Sequence, residues 1–171
     1  MGFKLLIASA IPNKHLMVIG RITVNFALLE SSISMGIWKL IGAGQEQDFG
    51  KIITSELSFK NLVALFSSLF NYLVKDQSSI DQLKNLIKDA MEAEKKRNII
   101  THSLYVGDKK KSEVIRIKTT AKIHKGLKYQ LESLTVNELN EIADFIAEVT
   151  ANIQSFVSRI KLTDVWKTKT Q

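Results

Sequence analysis

Residues 79–105, SIDQLKNLIKDAMEAEKKRNIITHSLY, predict an amphipathic helix whose core-facing stripe changes character near its end. The apolar members of the stripe recur at the helical period: Leu83, Leu86, Ile87, Ala90, Leu104 and Tyr105. At about 100° per residue, Glu94, Arg97 and Thr101 fall on the same stripe. Asn98 and His102 fall on its flank. A charge on a core-facing stripe costs several kcal/mol unless it is paired or reached by water.

We call Glu94, Arg97, Asn98, Thr101 and His102 the polar break. Two interpretations of it are open. In the first it is architectural: Arg97 forms an ion pair with Glu94 or with Glu30 of the first helix. His102 is then a structural histidine whose ring is hydrogen-bonded at the edge of the helix. In the second interpretation, these polar side chains form a functional site instead of part of the apolar core.

The first helix is predicted to begin at Pro12 and to end near Gly42 and Gly44, because proline suits a first helical turn and glycine a helix end. Its stripe is Val18, Ile19, Ile22, Phe26, Leu29, Ile33, Ile37 and Leu40. Its other faces carry further apolar residues, namely Met17, Val24, Ala27, Leu28 and Met35. This surplus indicates a second packing partner, for which another copy of the chain is a candidate.

The remaining pattern predicts two more helices and a small sheet. After a polar loop, Ser58 is expected to cap a buried helix, and Ser79 with Gln82 to cap the helix of residues 79–105. Residues 105–118 and 127–134 then alternate as strands, before Thr135 and Glu138 open the last helix as a capping box. We therefore predict an all-α fold: an up-and-down four-helix bundle with a β-hairpin or meander inserted before the last helix. It is predicted as one domain over residues 1–171, with a core at about 12–163.

Composition narrows the function classes. With no cysteine among its 171 residues, the chain can have no disulfide, thiolate metal site or cysteine nucleophile. His15, His102 and His124 show no metal-ligand spacing, so we expect neither a metal nor a cofactor. The apolar run within residues 1–10 is short for a signal peptide, and no stretch has 18 uninterrupted apolar residues. A cytoplasmic location without membrane contact is predicted.

The net charge of +7 is concentrated in one region. Residues 95–128 contain eleven basic residues against Asp108 and Glu113, which makes this window +9 and the remainder −2. A local basic patch attracts polyanions, RNA and DNA first among them. The predicted RNA-binding residues are Lys96, Lys109, Lys110, Lys111, Arg116, Lys118, Lys122, Lys125 and Lys128. The alternative is a solvated, lysine-rich hairpin without a ligand.

The polar break also matches a known motif. Arg97-Asn98-x-x-x-His102, near the C-terminal end of the third long helix, resembles the R-x4–6-H motif of HEPN domains (higher eukaryotes and prokaryotes nucleotide-binding domains). The predicted elements fit that family over nearly the whole chain. The resemblance implies metal-independent RNA cleavage by a homodimer in a toxin or phage-defence role, where an antitoxin protein is a further partner. The family also contains members that do not cleave.

The resemblance assigns roles to three residues. Arg97 would hold the scissile phosphate, His102 would act as general base or acid on the ribose 2′-hydroxyl or the leaving oxygen, and Asn98 would orient the histidine or the RNA. Thr101, Glu94 and Glu30 would support them. One branch of the family continues the motif as His-x-Tyr with a modifiable tyrosine. Here Tyr105 stands one place later, which departs from that branch.

Overall fold

The computed structural model describes residues 11–42, 47–108, 113–122 and 126–160, and this part of the chain is mostly helical. The helices are α1 Asn13–Leu40, α2 Gln47–Thr54, α3 Phe59–Leu73, α4 Gln77–Thr101 and α5 Val136–Arg159. The strands are β1 Leu104–Asp108, β2 Glu113–Lys122 and β3 Gly126–Leu134, all before α5. A mainly helical fold with a small sheet before the last helix is thus confirmed, whereas the four-helix bundle and the HEPN likeness stay predictions.

The chain divides into two compact units. The first unit is Met1–Val24 with Lys96–Asp144, and it contains the sheet and the polar end of α4. The second unit is Asn25–Lys95 with Phe145–Gln171, and it contains α2, α3 and the greater part of α1, α4 and α5.

The core of the second unit is built on aromatic side chains. Phe26 of α1 packs on Phe59 of α3 with ring centroids 4.8 Å apart, and Phe70 packs on Phe156 of α5 at 5.1 Å. The predicted α1 stripe is buried from Ile22 through Leu40. These contacts place α1, α3 and α5 around one apolar centre, whose burial is the main stabilising term.

A short helix occupies part of the stretch predicted as a polar loop. The eight residues of α2 lie against Trp38, whose Nε1 donates to Thr54 Oγ1 at 3.0 Å. The contact is so close that a Cβ at Gly50 would lie 2.6 Å from the Trp38 ring. The loop prediction was wrong because two helical turns are too short to show a clear period. Upstream, Gly42 adopts a φ of 75° just after α1, as the predicted helix end requires.

The sheet of the first unit is antiparallel with the order β1-β2-β3, which confirms the predicted meander. Val114 of β2 pairs with Leu134 of β3, and both side chains are buried. The predicted turn between β1 and β2 includes residues 109–112, which lie outside the described residues. Leu104, predicted to be a core-facing residue of the helix, instead opens β1 and is 65% exposed, because α4 ends at Thr101.

Two predicted helix caps are confirmed and one is displaced. Ser58 accepts from the Asn61 N–H, and the Thr135–Glu138 pair forms a reciprocal capping box at the start of α5. At α4, however, Ser79 is the donor: its N–H and hydroxyl both bond to Asp76 Oδ2, at 2.8 and 2.6 Å. Asp76 therefore caps α4 one turn before the predicted residue, since a carboxylate accepts strongly at a helix N-terminus.

Among the described residues, α1 is the helix that is long and apolar enough to cross a bilayer by length and composition alone. The requirement for 18 uninterrupted apolar residues is stricter. Helix α1 does not meet it, because Arg21, Glu30 and Lys39 interrupt its apolar residues. Core helices of soluble proteins and signal sequences also pass the length-and-composition test.

Candidate functional site

The candidate site lies in the first unit, where α4 ends. Thr101 is the last helical residue, and the His102 backbone N–H donates to the Asn98 carbonyl oxygen at 3.1 Å. This bond continues the helical turn by one residue, so that His102 follows Asn98 by about one turn. The His102 side chain is exposed to solvent. An imidazole in this position is accessible to a ligand.

Arg97 and Asn98 are joined by a side-chain hydrogen bond. The Arg97 Nη1 donates to Asn98 Oδ1 at 2.8 Å, and both side chains are half-buried. Because Oδ1 faces the guanidinium, the Asn98 amide nitrogen points away from it. Thr101 is also half-buried, and its hydroxyl donates back to the Arg97 carbonyl oxygen at 3.1 Å. Of these residues, Arg97 lies about one turn after the buried Ala93, on the same side of α4.

The end of α4 is fixed by side chains that reach its last carbonyl groups. Ser103 Oγ donates to the Ile99 carbonyl oxygen at 2.6 Å, and the Tyr105 hydroxyl donates to the Ile100 carbonyl oxygen at 2.5 Å. Burial raises the pKa of Tyr105 to about 12, against the opposing charge of Arg116. The hydroxyl thus remains a donor at neutral pH. A helix C-terminus otherwise leaves such carbonyls without intrahelical partners.

Arg116 of β2 completes this arrangement. Its Nη1 donates to the Ile99 carbonyl oxygen at 3.4 Å and to Ser103 Oγ at 3.3 Å, while its Nη2 pairs with Glu132 of β3. Only 7% of the Arg116 surface is exposed. Arg116 was predicted among the RNA-binding residues, but its guanidinium is engaged in the contact between the sheet and α4. It therefore does not belong to an RNA-binding surface.

The other predicted residues fall in several places. Lys118 is exposed on β2 and Lys96 is half-buried on α4. Lys109, Lys110, Lys111 and Lys125 lie outside the described residues, as do the side chains of Lys122 and Lys128. Glu30 and Glu94 are half-buried in the second unit, and their pairing with Arg97 stays a prediction.

Several site residues were not found by sequence reasoning. Ser103 and Glu132 hold Arg116, and their roles depend on the pairing of Arg116 with Glu132 across β2 and β3. His15 of α1 is 2% exposed and its Nε2 lies 3.2 Å from the Leu134 carbonyl oxygen at the end of β3. The sequence could not predict this hydrogen bond, because His15 has no regular spacing to other polar residues. Within the described ranges, no group of three or more histidine and acidic side chains is placed to hold a metal ion.

No protein-family model matches this chain, and no curated protein or solved structure matches it either. Any functional proposal therefore depends on the residues themselves and on their geometry.

Proposed function

We propose that this protein is a metal-independent endoribonuclease of the HEPN type, acting as a cytoplasmic homodimer in a toxin or phage-defence role. The observation that carries the proposal is the hydrogen-bonded Arg97–Asn98 pair one turn before the exposed His102. This cluster sits at a fixed helix end and within the window of +9 charge. An anionic substrate that meets a histidine and an arginine in such a field is a reasonable target for RNA cleavage.

The chemistry needs no metal or covalent enzyme group, because the ribose 2′-hydroxyl is an internal nucleophile. His102 removes the proton of the 2′-hydroxyl as the 2′-oxygen attacks phosphorus and the bond to the 5′-oxygen breaks. A histidine then returns a proton to the leaving 5′-oxygen, so the products carry a 2′,3′-cyclic phosphate and a 5′-hydroxyl. With a reference pKa of roughly 6.5, histidine suits both steps and contributes about 10²–10⁴-fold.

Arg97 stabilises the phosphate during this reaction. Its planar guanidinium offers two parallel donors to two phosphate oxygens and keeps its proton at any working pH. The bond to Asn98 Oδ1 uses Nη1 and fixes the plane of the guanidinium. Asn98 therefore acts through Arg97 as a positioning residue.

The spacing of the motif favours a site completed by two chains. Residues five apart on a helix differ by about 140° and roughly 7.5 Å of rise, so Arg97 and His102 of one chain do not converge. A second protomer would supply the missing partner.

Helix α1 offers a surface for that second protomer. Met17, Val24, Leu28 and Met35 are 74, 60, 50 and 42% exposed and are spaced seven, four and seven residues apart. These residues fall on a and d positions of a heptad, and Arg21 and Ser31 occupy the two intervening a and d positions. The pattern is also symmetric about Phe26: in an antiparallel pair, Met17 would face Met35 and Val24 would face Leu28. A two-fold interface requires this self-complementarity.

A non-cleaving RNA-binding module is the second candidate. The observation that favours it is the same divergence of Arg97 and His102 on one helix, which leaves a single chain with a phosphate contact but no complete catalytic pair. Such a protein would bind RNA in a salt-dependent way and leave it intact.

The deciding experiment is RNA cleavage in EDTA by wild type, His102→Ala and Arg97→Ala. His124→Ala is the matched histidine control and Arg159→Ala the exposed arginine control. We expect both site variants to stay folded and to lose activity by at least about 10²-fold, while the controls cleave normally. Intact RNA with wild-type protein that still binds it would favour the non-cleaving module. Absence of cleavage together with unfolding of Arg97→Ala would assign the polar break to architecture.

A further inference from the structure

The connection between α4 and β1 consists of His102 and Ser103 alone. Both of its ends are held by hydrogen bonds. Before it, the His102 backbone N–H donates to the Asn98 carbonyl oxygen at 3.1 Å. After it, Leu104 pairs with Ile117 as the first residue of β1. The position of the His102 backbone therefore depends on how firmly the end of α4 is joined to the sheet.

A buried arginine side chain makes this joint. Arg116 of β2 uses one nitrogen, Nη1, to donate to the Ile99 carbonyl oxygen at 3.4 Å and to the Ser103 hydroxyl at 3.3 Å. The Ser103 hydroxyl itself donates to the Ile99 carbonyl oxygen at 2.6 Å. These three bonds form a closed triangle, which we call the clamp. The clamp holds one residue before His102 in the chain and one residue after it.

The Ser103 hydroxyl is the middle member of the clamp. A hydroxyl has one hydrogen to donate and lone pairs with which to accept. Because Ser103 Oγ gives its hydrogen to Ile99, it accepts from Arg116 through a lone pair, and the guanidinium fixes its direction. Glu132 pairs with the second arm of the same guanidinium, through Nη2. The planar fork of arginine suits this task, because it presents several donors in fixed directions at once.

The burial of the guanidinium indicates that its role is geometric. Arg116 is 7% exposed, and Val114, its neighbour on the same side of β2, is fully buried. An apolar side chain at position 116 could be buried as Val114 is, without the cost of removing a charge from water. It could not hold the Ile99 carbonyl oxygen and the Ser103 hydroxyl together. Only the arginine fixes these two groups relative to each other.

The clamp bears on the geometry between Arg97 and His102. The His102 side chain is exposed, so the backbone of the connection decides where the imidazole points. A general base has to lie within hydrogen-bond reach of the proton that it removes. A displacement of about 1 Å at a catalytic group can lower a rate about 10²-fold. A contact that holds the backbone on both sides of His102 therefore affects the chemistry without touching the substrate.

We propose that Arg116 is a positioning residue for His102 and acts through the Ser103 hydroxyl and the Ile99 carbonyl oxygen. The inference rests on the proposed function and adds to it a residue that contacts neither RNA nor the reacting atoms. The clamp keeps the His102 backbone in one orientation relative to Arg97. Without the guanidinium, the connection samples several orientations, and the imidazole reaches the 2′-hydroxyl in fewer of them.

The test compares Arg116→Met and Ser103→Ala with wild type in two measurements. Backbone amide NMR relaxation gives the order parameters of residues 101–104. Steady-state cleavage of a fluorogenic RNA oligonucleotide in EDTA gives kcat and KM. Ile33→Val is the stability control, because it shortens a buried side chain of the second unit, away from the clamp. Thermal unfolding checks that each variant is folded at the assay temperature.

We expect the order parameters of residues 101–104 to fall from about 0.85 to below about 0.6 in Arg116→Met. Its kcat should fall about 10- to 100-fold while KM changes less than about 2-fold, since the loss is one of orientation and not of RNA binding. Ser103→Ala removes the middle of the clamp but keeps the arginine, so its effects should be smaller and in the same direction. Ile33→Val should match wild type in both measurements.

Three results overturn the proposal. The first is that the order parameters of residues 101–104 stay unchanged in Arg116→Met, whatever happens to kcat. The second is a loss of order that extends equally through β2 and β3, because Arg116 would then stabilise the unit as a whole. The third is a fall in kcat of the same size in Ile33→Val. If Arg116→Met does not fold, the same results in Ser103→Ala decide.

The two measurements separate this proposal from the nuclease proposal. If wild type cleaves RNA and Arg116→Met cleaves with an unchanged kcat, the nuclease proposal holds and the positioning role is wrong. If wild type does not cleave RNA but residues 101–104 alone lose order in Arg116→Met, Arg116 positions His102 and the nuclease proposal is wrong.

Discussion

Arg116 of β2 reaches across to the end of α4, where its Nη1 donates to the Ile99 carbonyl oxygen at 3.4 Å. Ile99 lies midway between Arg97 and His102 in the sequence. The guanidinium is buried, pairs with Glu132 through Nη2, and contacts Ser103, the residue after His102. A side chain from the sheet thus fixes the segment that carries the candidate histidine, and its removal has consequences for stability.

The Arg116–Glu132 pair should respond asymmetrically to substitution. Arg116→Met removes a buried charge and leaves the half-exposed Glu132 carboxylate to water, at a cost of about 1–2 kcal/mol. Glu132→Ala leaves the buried guanidinium without its counter-charge and should cost about 2–4 kcal/mol. Urea unfolding of both single variants and the double variant measures these values and their coupling.

A control for this prediction is the ion pair between Arg21 and Asp144, whose side chains are 44 and 74% exposed. Arg21→Met should cost no more than about 1 kcal/mol, because solvent screens an exposed pair. A larger loss of stability from Arg116→Met than from Glu132→Ala, or full additivity in the double variant, would contradict the burial argument.

The raised pKa of Tyr105 leads to a prediction that the absorbance of tyrosinate can test. Its folded pKa of about 12 lies above the ordinary tyrosine value of about 10 because the side chain is partly buried. The stability associated with the protonated hydroxyl is complete below about pH 10 and is lost as the pH rises through about 12. Tyr105→Phe should remove the tyrosinate absorbance step near pH 12 and lower stability at pH 7 by about 1 kcal/mol, since the Ile100 carbonyl oxygen loses its donor. Tyr72→Phe should leave that step in place; if it removes the step instead, the assignment to Tyr105 is wrong.

The long elements of the fold could be predicted because their patterns repeat over many turns. Residues of the α1 stripe from Ile22 to Leu40 are buried as the 3.6-residue period requires. The apolar pattern of residues 79–105 could not show where α4 ends. Because the helical period was extended to Leu104, an exposed strand residue was predicted to lie in the core. Nor could it choose between Asp76 and Ser79 as the cap, because both residue types are good caps and they stand one turn apart.

The candidate site was predictable only where it lies on one helix. Arg97, Asn98 and His102 are close in sequence, and helix geometry alone relates them. The pairing of Arg116 with Glu132 depends on the register of β2 and β3 and on the packing of that sheet face against α4. Charge alone therefore assigned Arg116 to the RNA-binding surface, whereas its burial in the structure shows a contact inside the first unit.

The exposed stripe of α1 predicts a dimer that charge will disrupt. Leu28→Glu would place a carboxylate in an apolar seam opposite Val24 of the second protomer, where it costs several kcal/mol. We expect the dimer dissociation constant to rise at least about 100-fold in analytical ultracentrifugation, with little change in monomer stability. Thr23→Glu, an exposed residue of the same helix off the stripe, should leave the dimer intact.

The antiparallel arrangement has its own test because the chain has no cysteine. A Met17→Cys, Met35→Cys double variant should form disulfide-linked dimers on mild oxidation, while either single variant should not. Crosslinking of Met17→Cys alone would indicate a parallel pair. A monomeric wild-type protein that binds lipid vesicles through α1 would contradict the dimer altogether.

The capping box of α5 predicts how the fold responds to acid. Hydrogen bonds from the Thr135 backbone and hydroxyl lower the pKa of Glu138 below its ordinary value. The pKa of Glu138 is therefore lower in the folded state than in the unfolded state. The resulting contribution to stability is present above about pH 4.5 and is lost as the pH falls through the lowered pKa. Glu138→Gln should therefore melt at a lower temperature than wild type at pH 7, and the difference should shrink at about pH 3.5. Glu141→Gln, an exposed residue one turn later on the same helix, should show no such pH-dependent difference. If the two variants behave alike at both pH values, the carboxylate of Glu138 does not stabilise the start of α5, and the acid response of the fold has another source.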